Sequence, residues 1–301
     1  MTSAAAAAAA AGAAAAAAAA EAEGQQAVPP AVVGVIGGGR MGAGIAQSFA
    51  AVGSSVVVVE QDAEAADAAV ERIAAALRRG GAEDDAIRLT VVASVSELPR
   101  DADLVVEAVP EDAALKARLL AAAEQAVGER CVLASNTSSL SVTDLAAALR
   151  RPGRFLGMHF FNPVPVSALI EVVLAPGTTG DTLESAVGWT RALGKQEVVV
   201  GDSPGFASSR LGLALGLEAI RMVEEGVAAP DAIDTAMSLG YKHPIGPLRL
   251  TDLVGLDVRL AIADHLHATL GERFAPPRLL REMVARGELG RKSGQGFYAW
   301  P

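Results

Sequence analysis

The strongest constraint on the fold of this chain is a glycine-rich turn that directly follows a short β-branched run. The run is Val32–Ile36, and the turn after it, GGGRMG, contains Gly37, Gly39 and Gly42. Residues 43–52 then have helical spacing, so this part of the chain predicts a strand, a tight turn and a helix. Glycines at these three positions are typical of turns that hold a pyrophosphate at a helix N-terminus. A turn that merely links two elements is the alternative, but the strand before it and the helix after it favour binding.

A second apolar run predicts which dinucleotide this turn would hold. The run Ser55–Val59 ends in Glu60, which lies 18 residues after Gly42. The acidic residue that binds the adenosine ribose hydroxyls lies at a similar offset in dinucleotide-binding domains. Its carboxylate would repel a 2′-phosphate, and the next residues, Gln61 and Asp62, provide no arginine to hold one. The sequence therefore predicts NAD rather than NADP, with an ordinary solvated glutamate as the alternative.

The same alternation of strand and helix continues along the chain. Apolar strand-like runs lie at 89–92, 104–109 and 131–134, and alanine-rich helical stretches lie at 63–79 and 113–127. Such alternation predicts a Rossmann-type α/β fold with a doubly wound parallel sheet. Ligands of these sheets bind at the carboxyl ends of the strands, where Glu60, Glu107 and Asn136 fall.

Composition shifts divide the chain into three parts. Residues 1–30 are rich in alanine and end in a double proline, which predicts a disordered tail. Residues 31–201 form the predicted NAD-binding domain. Residues 202–301 read as helical throughout, with glycine and proline between the helices, and predict an all-α domain. Its helices are expected at 206–225, 231–239, 248–270 and 278–286.

Charge and cysteine content exclude several classes of partner. The formal net charge is −10 and the pI is about 5.0, so we expect no nucleic acid and no membrane surface as partners. Cys131 is the single cysteine, which excludes a disulfide framework and fits a reducing cytoplasm. His243 precedes a proline, and His265 and His267 point to different faces of a helix, so no metal site is expected.

Three polar residues after the turn provide the groups needed to oxidise a secondary alcohol. Such a reaction needs a base for the hydroxyl proton while a hydride leaves for nicotinamide, and His159 suits that task near neutral pH. Glu171, in an alternating strand, is the candidate to fix the imidazole tautomer. Ser138 would donate a hydrogen bond to the developing oxyanion. A histidine in an apolar run is often only a satisfied core residue, and the neighbouring motifs favour the catalytic interpretation.

These motifs together resemble the 3-hydroxyacyl-CoA dehydrogenase family, of the NAD-dependent L-3-hydroxybutyryl-CoA type, from about residue 31 to residue 301. The resemblance is carried by the glycine turn and by five further blocks. These blocks are VEAVPE at 106–111 with Lys116, SNTSS at 135–139, HFFNP at 159–163, DSPGF at 202–206 and GRKSGQGFY at 290–298.

The resemblance implies a role for each matching position. His159 is similar to the general base of the family, Glu171 to its partner and Ser138 to its substrate-binding hydroxyl. Glu107, Lys116 and Asn136 lie where the family contacts the cofactor. The positions implied for substrate binding are Ser138, Asn162 and Ser209. An acyl-CoA thioester is the implied substrate, and a homodimer formed through the C-terminal domain is the implied assembly.

The chain departs from the family pattern at two places. Ser209 stands where the family usually has asparagine, and a serine has a shorter reach. The connection from Asp62 to Leu89 is shorter than the helical hairpin that helps to bind coenzyme A, although Arg72, Arg78 and Arg79 could meet phosphates or form a solvated face. These departures leave two alternatives open. One is a dehydrogenase of a free hydroxy acid or sugar acid, as in the gulonate dehydrogenase and lambda-crystallin branch, and the other is a non-catalytic NAD-binding protein.

Overall fold

A computed structural model describes residues 27–79 and 88–301 of the chain. Most of the alanine-rich tail and residues 80–87 of the connection before Leu89 lie outside the described residues. The chain divides into two compact units between Ser203 and Pro204.

The first unit is built on one eight-stranded sheet. Its strands are β1 Val32–Ile36, β2 Ser55–Val59, β3 Leu89–Val92, β4 Leu104–Glu107, β5 Val132–Ser135, β6 Phe155–Phe160, β7 Leu169–Leu174 and β8 Gln196–Gly201. They lie in the order β3-β2-β1-β4-β5-β6-β7-β8. Strands β1 to β6 are parallel, so the order reverses between β1 and β4 as in a doubly wound sheet. The Rossmann-type fold predicted from the sequence is therefore confirmed.

The last two strands of this sheet run in the opposite direction. β7 pairs antiparallel with β6, and β8 pairs parallel with β7. Alternating apolar residues around Glu171 predicted β7, but the direction of a strand depends on the path of the connecting loop. The register places His159 directly opposite Glu171.

Helices cover both faces of the sheet and bury its apolar side chains. They are α1 Arg40–Ala51, α2 Ala63–Arg79, α3 Ala113–Ala126, α4 Val142–Ala146 and α5 Gly180–Ala192. The apolar runs of β1 and β2 are almost entirely buried, because helices pack on both faces of a parallel sheet. Phe49 of α1, with no exposed surface, lies in the same cluster as Val35 and Val58.

The second unit is helical, as the sequence predicted. Its helices are α6 Ser208–Glu224, α7 Pro230–Thr235, α8 Pro247–Val254, α9 Leu256–Leu270 and α10 Arg278–Ala285. The single helix expected over 248–270 was wrong, because the structure ends α8 and starts α9 on either side of Gly255. Gly255 has a φ of 104°, a left-handed conformation that glycine adopts at low cost and that helical spacing alone does not reveal.

A buried carboxylate fastens the end of the chain to this helical unit. Asp252 on α8 has no exposed surface and accepts hydrogen bonds from the backbone N–H of Phe297, the backbone N–H of Tyr298 and Nε1 of Trp300. A Cβ at Gly296 would lie 2.3 Å from Oδ1 of Asp252, so only glycine fits at that approach. Phe297, Tyr298 and Trp300, at the end of the chain, thus donate three hydrogen bonds to one buried carboxylate.

Replacing Asp252 by alanine tests this arrangement. Asp252→Ala leaves three donors without their acceptor, so we expect the free energy of unfolding to fall by about 3 kcal/mol. Chemical denaturation monitored by Trp fluorescence measures the change. Asp264→Ala is the control, since Asp264 forms an exposed ion pair with Arg281 and should change stability by less than about 0.5 kcal/mol. Equal effects of the two substitutions would contradict the assignment.

Candidate active site

The glycine turn has the geometry that a nucleotide cradle needs. Gly37 has a φ of 100°, and its N–H donates to the carbonyl oxygen of Val59 at 2.9 Å, which joins the turn to β2. A Cβ at Gly42 would lie 1.8 Å from the carbonyl oxygen of Gly37, so α1 packs on the turn only because Gly42 has no side chain. A Cβ at Gly39 would meet nothing within 4 Å, so this glycine borders open space. Backbone of this kind can approach a pyrophosphate closely.

A cavity of about 460 Å³ opens beside this turn, and we call it the nucleotide cavity. Its lining includes Gly37, Glu60, Val109 and Arg118. Oε2 of Glu60 accepts a hydrogen bond from the N–H of Gly38 at 2.8 Å, which fixes the carboxylate at the end of β2. The structure thus brings together the glycine turn and Glu60, the two features from which the sequence predicted dinucleotide binding. The residues present suit NAD, since a glycine turn at a helix N-terminus and a strand-end carboxylate are the groups that would hold its pyrophosphate and its adenosine ribose.

His159 and Glu171 form a buried pair across two antiparallel strands. Nδ1 of His159 lies 2.8 Å from Oε2 of Glu171, and the two residues are 5% and 0% exposed. A carboxylate at Nδ1 favours the tautomer with its proton on Nδ1, which makes Nε2 the basic nitrogen. The ring of Phe161 packs against the imidazole, with 4.5 Å between ring centroids. The geometry therefore provides an oriented imidazole in a site largely shielded from water.

Asn136 connects the end of β5 to the strand that carries His159. It is mostly buried, and its Oδ1 accepts a hydrogen bond from the N–H of Phe160 at 2.9 Å. Its own N–H donates to the carbonyl oxygen of Glu107 at the end of β4. The residue thus links the carboxyl ends of β4, β5 and β6 through its backbone and its side chain.

The structure places Glu107 and Lys116 inside the protein. They are 0% and 1% exposed, and Nζ of Lys116 lies 2.6 Å from Oε1 of Glu107. Oε1 also accepts from the N–H of Val109, and Oε2 accepts from Oγ of Ser135. Nζ of Lys116 donates further to the carbonyl oxygen of Val109 at 3.0 Å. Both oxygens of Glu107 are occupied by protein donors, so its geometry is that of a support for the site.

Glu111 was not among the residues singled out as functional from the sequence, and the structure brings it to the serine-rich turn. Its Oε1 accepts from Oγ1 of Thr137 at 2.6 Å and from the N–H groups of Ser138 and Ser139 at 2.9 and 3.0 Å. Lys116 lies 3.3 Å from its other oxygen. The sequence carried a signal, because Glu111 follows β4 at the same edge, but its partners lie 26 to 28 residues away.

The remaining predicted site residues are placed as follows. Ser138 is exposed at the tip of the turn that Glu111 holds, and Asn162 is exposed in the loop between β6 and β7. Ser209 is half-buried near the start of α6, in the second unit. In the part of the chain that the structure describes, no group of three or more His, Cys, Asp or Glu side chains could hold a metal ion. No helix in the described ranges has the length and apolar character needed to cross a membrane.

A dinucleotide cradle followed by a buried histidine and carboxylate defines the class of nicotinamide-dependent dehydrogenases. Comparison with known proteins gives the family. The model of the 3-hydroxyacyl-CoA dehydrogenase NAD-binding domain matches residues 32–203, and the model of its C-terminal domain matches residues 205–300. The chain belongs to the 3-hydroxyacyl-CoA dehydrogenase family, as its motifs predicted. NAD is therefore its cofactor, which confirms the prediction made from Glu60.

Individual relatives agree with this assignment along nearly their whole length. A probable 3-hydroxybutyryl-CoA dehydrogenase of Deinococcus radiodurans is 44% identical over 276 residues, covering 89% of this chain and 99% of the relative. A 3-hydroxybutyryl-CoA dehydrogenase of Mycobacterium tuberculosis is 43% identical over 284 residues, covering 89% and 98%. The crystal structure of (S)-3-hydroxybutyryl-CoA dehydrogenase from Ralstonia eutropha has a TM-score of 0.85, with 40% identity over 90% of this chain and 99% of that one.

The contacts of Glu111 predict a pH-dependent contribution to stability. Burial acts to raise the pKa of Glu111, but the hydrogen bond from Thr137, the charge of Lys116 and the bonds from Ser138 and Ser139 outweigh it, so the pKa is lowered from 4.5. Its stabilisation is therefore fully present above pH 4.5 and is lost as the pH falls through the lowered value.

Glu111→Gln tests this contribution. Because the side chain is about a third exposed, we expect a loss of about 1 kcal/mol of unfolding free energy at neutral pH, with the difference from wild type vanishing in acid. Urea denaturation at several pH values measures it. Glu129→Gln, at an exposed residue outside the site, is the control and should behave as wild type at every pH. A pH-independent loss in Glu111→Gln would contradict the role of its charge.

Proposed function

We propose that this protein interconverts L-3-hydroxybutyryl-CoA and acetoacetyl-CoA with NAD as the hydride acceptor. The observation that carries the proposal is the buried contact of 2.8 Å between Nδ1 of His159 and Oε2 of Glu171. Relatives named for 3-hydroxybutyryl-CoA support the short acyl chain. The presence of a glycine turn, a candidate base and a candidate hydroxyl group in one chain favours this proposal over a non-catalytic binding protein.

In the proposed mechanism, His159 and Glu171 manage the proton. Nε2 of His159 takes the proton from the C3 hydroxyl group as the hydride leaves C3, and the C–O bond becomes a carbonyl. Glu171 keeps Nδ1 protonated and stabilises the imidazolium that forms. NAD supplies the acceptor of that hydride and is reduced to NADH. In the reverse direction, the imidazolium returns the proton to the oxygen.

Ser138 is proposed to orient the reacting oxygen. Its hydroxyl group would donate a hydrogen bond to the C3 oxygen as negative charge develops there. Glu111 holds the turn that presents Ser138 through bonds to three successive residues, 137 to 139. Asn162 and Ser209 are proposed to contact the rest of the thioester, and the second unit is proposed to be the substrate and dimerisation domain. Glu107 and Lys116 then act by supporting this edge of the sheet.

NADH oxidation at the usual nicotinamide absorbance tests the substrate class. We expect turnover with acetoacetyl-CoA and NADH and much less with free acetoacetate, because the coenzyme A part of the substrate provides binding energy that the free acid lacks. Turnover of acetoacetate or of a sugar acid without turnover of the thioester would instead indicate the free-acid branch. NADH binding without turnover of any of these would indicate a binding protein.

Substitutions of the buried pair test the assigned roles. His159→Ala should lower kcat about 10³-fold, and Glu171→Gln should lower it about 10²-fold, because the first removes the base and the second only its orienting charge. NADH affinity, measured by fluorescence titration, should stay near that of wild type in both. His267→Ala is the control, since its exposed pair with Glu272 lies outside the proposed site. Turnover by His159→Ala at the wild-type rate would remove its proposed role.

A homodimer and a cytoplasmic location are also part of this proposal. The second unit exposes several large apolar side chains, which an interface between two copies would cover. They are Leu211, Val227, Leu239, Tyr241, Val254 and Val258. The buried free thiol of Cys131 is compatible with a reducing compartment. Light scattering of the purified protein should give twice the chain mass, and a monomeric mass would exclude the dimer.

A further inference from the structure

A second cavity adjoins the nucleotide cavity at Glu60. It has a volume of about 440 Å³ and is lined by Gly38, Gly39, Arg40, Glu60, Arg72 and two alanines of α2, and we call it the arginine cavity. Glu60 and Gly39 line both cavities. A group bound in the nucleotide cavity that extends past Glu60 therefore enters a space lined by Arg40 and Arg72.

Both arginines reach this space from the elements that flank the turn. Arg40 is the first residue of α1, and Arg72 lies on α2, on the face that Ala65 and Ala68 form with it at helical spacing. The contact of this helix with the turn is close, because a Cβ at Gly38 would lie 3.1 Å from Cβ of Ala69. Within the described ranges, neither guanidinium group forms a salt bridge. Guanidinium groups bind phosphate well, because they donate forked, charge-assisted hydrogen bonds to its oxygens.

Glu60 decides what can reach these arginines. Its Oε2 is held by the N–H of Gly38, so the negative charge stays where the two cavities meet. A ribose 2′-hydroxyl group can bind such a carboxylate, whereas a 2′-phosphate at the same place is repelled by it. The two arginines would attract a 2′-phosphate, but Glu60, which lines both cavities, would repel it.

We propose that Arg40 and Arg72 form a latent site for the 2′-phosphate of NADP(H), which Glu60 closes. The inference rests on the dinucleotide site of the proposed function and adds to it a residue-level origin of cofactor choice. In this arrangement NAD specificity comes from one repulsive charge, with the cationic groups of an NADP site already in place. Removing that charge without changing the side-chain shape should open the site.

Binding titrations of Glu60→Gln test the proposal. The amide oxygen of glutamine can still accept the N–H of Gly38, so the turn keeps its support while the charge is lost. We expect the Kd for NADPH to fall about tenfold or more relative to wild type, whereas the Kd for NADH should rise, because its ribose hydroxyls lose a charged acceptor. Isothermal titration and nucleotide fluorescence measure both constants without relying on turnover. Wild-type binding of NADH tests the dinucleotide site itself, so failure of that site is seen separately.

Two further variants assign the gain to the arginines. Glu60→Gln combined with Arg40→Ala and Arg72→Ala should lose the gain in NADPH affinity. Glu60→Gln combined with Arg130→Ala should keep it, because Arg130 is exposed in the loop before β5, at the opposite edge of the sheet. This pair separates a local phosphate site from a general change in net charge. Retention of the full gain without Arg40 and Arg72 would overturn the proposal.

A second neutral substitution, Glu60→Ala, provides an independent decision if Glu60→Gln binds neither dinucleotide. In the Glu60→Ala background, Arg40→Ala with Arg72→Ala should weaken NADPH affinity about tenfold while the Kd for NADH changes much less. An unchanged ratio of the two constants would overturn the proposal.

Titration with coenzyme A, which carries a ribose 3′-phosphate, tests whether the arginines bind the substrate instead. Loss of coenzyme A affinity with unchanged NADPH affinity would assign the arginines to the substrate and overturn the proposal as well.

Discussion

The buried ion pair between Glu107 and Lys116 holds together the elements that carry the site. Charges this deeply buried are costly unless every oxygen and proton has a partner, and removing one partner would leave the other charge stranded. Here the pair is completed by the backbone of Val109 and the hydroxyl of Ser135, so β4, β5 and α3 are joined at one edge of the sheet. Lys116 also lies 3.3 Å from Glu111, which extends the network to the turn that carries Ser138. The wall of the nucleotide cavity and that turn therefore share one support.

The antiparallel direction of β7 determines which residue lies beside His159. In an antiparallel pair, residues opposite each other have their side chains side by side on one face of the sheet. The register of β6 and β7 uses this to set Glu171 against His159 at hydrogen-bonding distance. The backbone ladder of two strands therefore positions this pair. The imidazole thus rests on two strands, whereas the serine turn is held by Glu111 from the loop after β4.

Most of the fold could be predicted from the sequence because its strands, turns and helices depend on residues that are close together in the chain. The glycine turn, the strand runs and the helical second unit follow from backbone freedom and from the spacing of apolar residues along short segments. The helix break at Gly255 could not be read in this way, because one glycine inside a periodic pattern is compatible with either a continuous or a broken helix. The inward position of Glu107 was equally hidden, since the burial of a strand-end carboxylate depends on the partners that surround it.

The sequence by itself determined the Rossmann-type sheet and the use of NAD, and it singled out the histidine, carboxylate and serine of the proposed site, because each follows from residue type and spacing. Only the tertiary structure decided how these groups are supported and what surrounds them. Glu111 holds a turn 26 to 28 residues away, and Arg72 shares a cavity with Arg40 although they belong to different helices. The residues next to Glu60 in sequence contain no arginine, whereas its neighbours in space include two. Hydrogen bonds and charge interactions depend on the distance between groups in space. Separation along the chain does not give that distance for residues that only the folded sheet brings together.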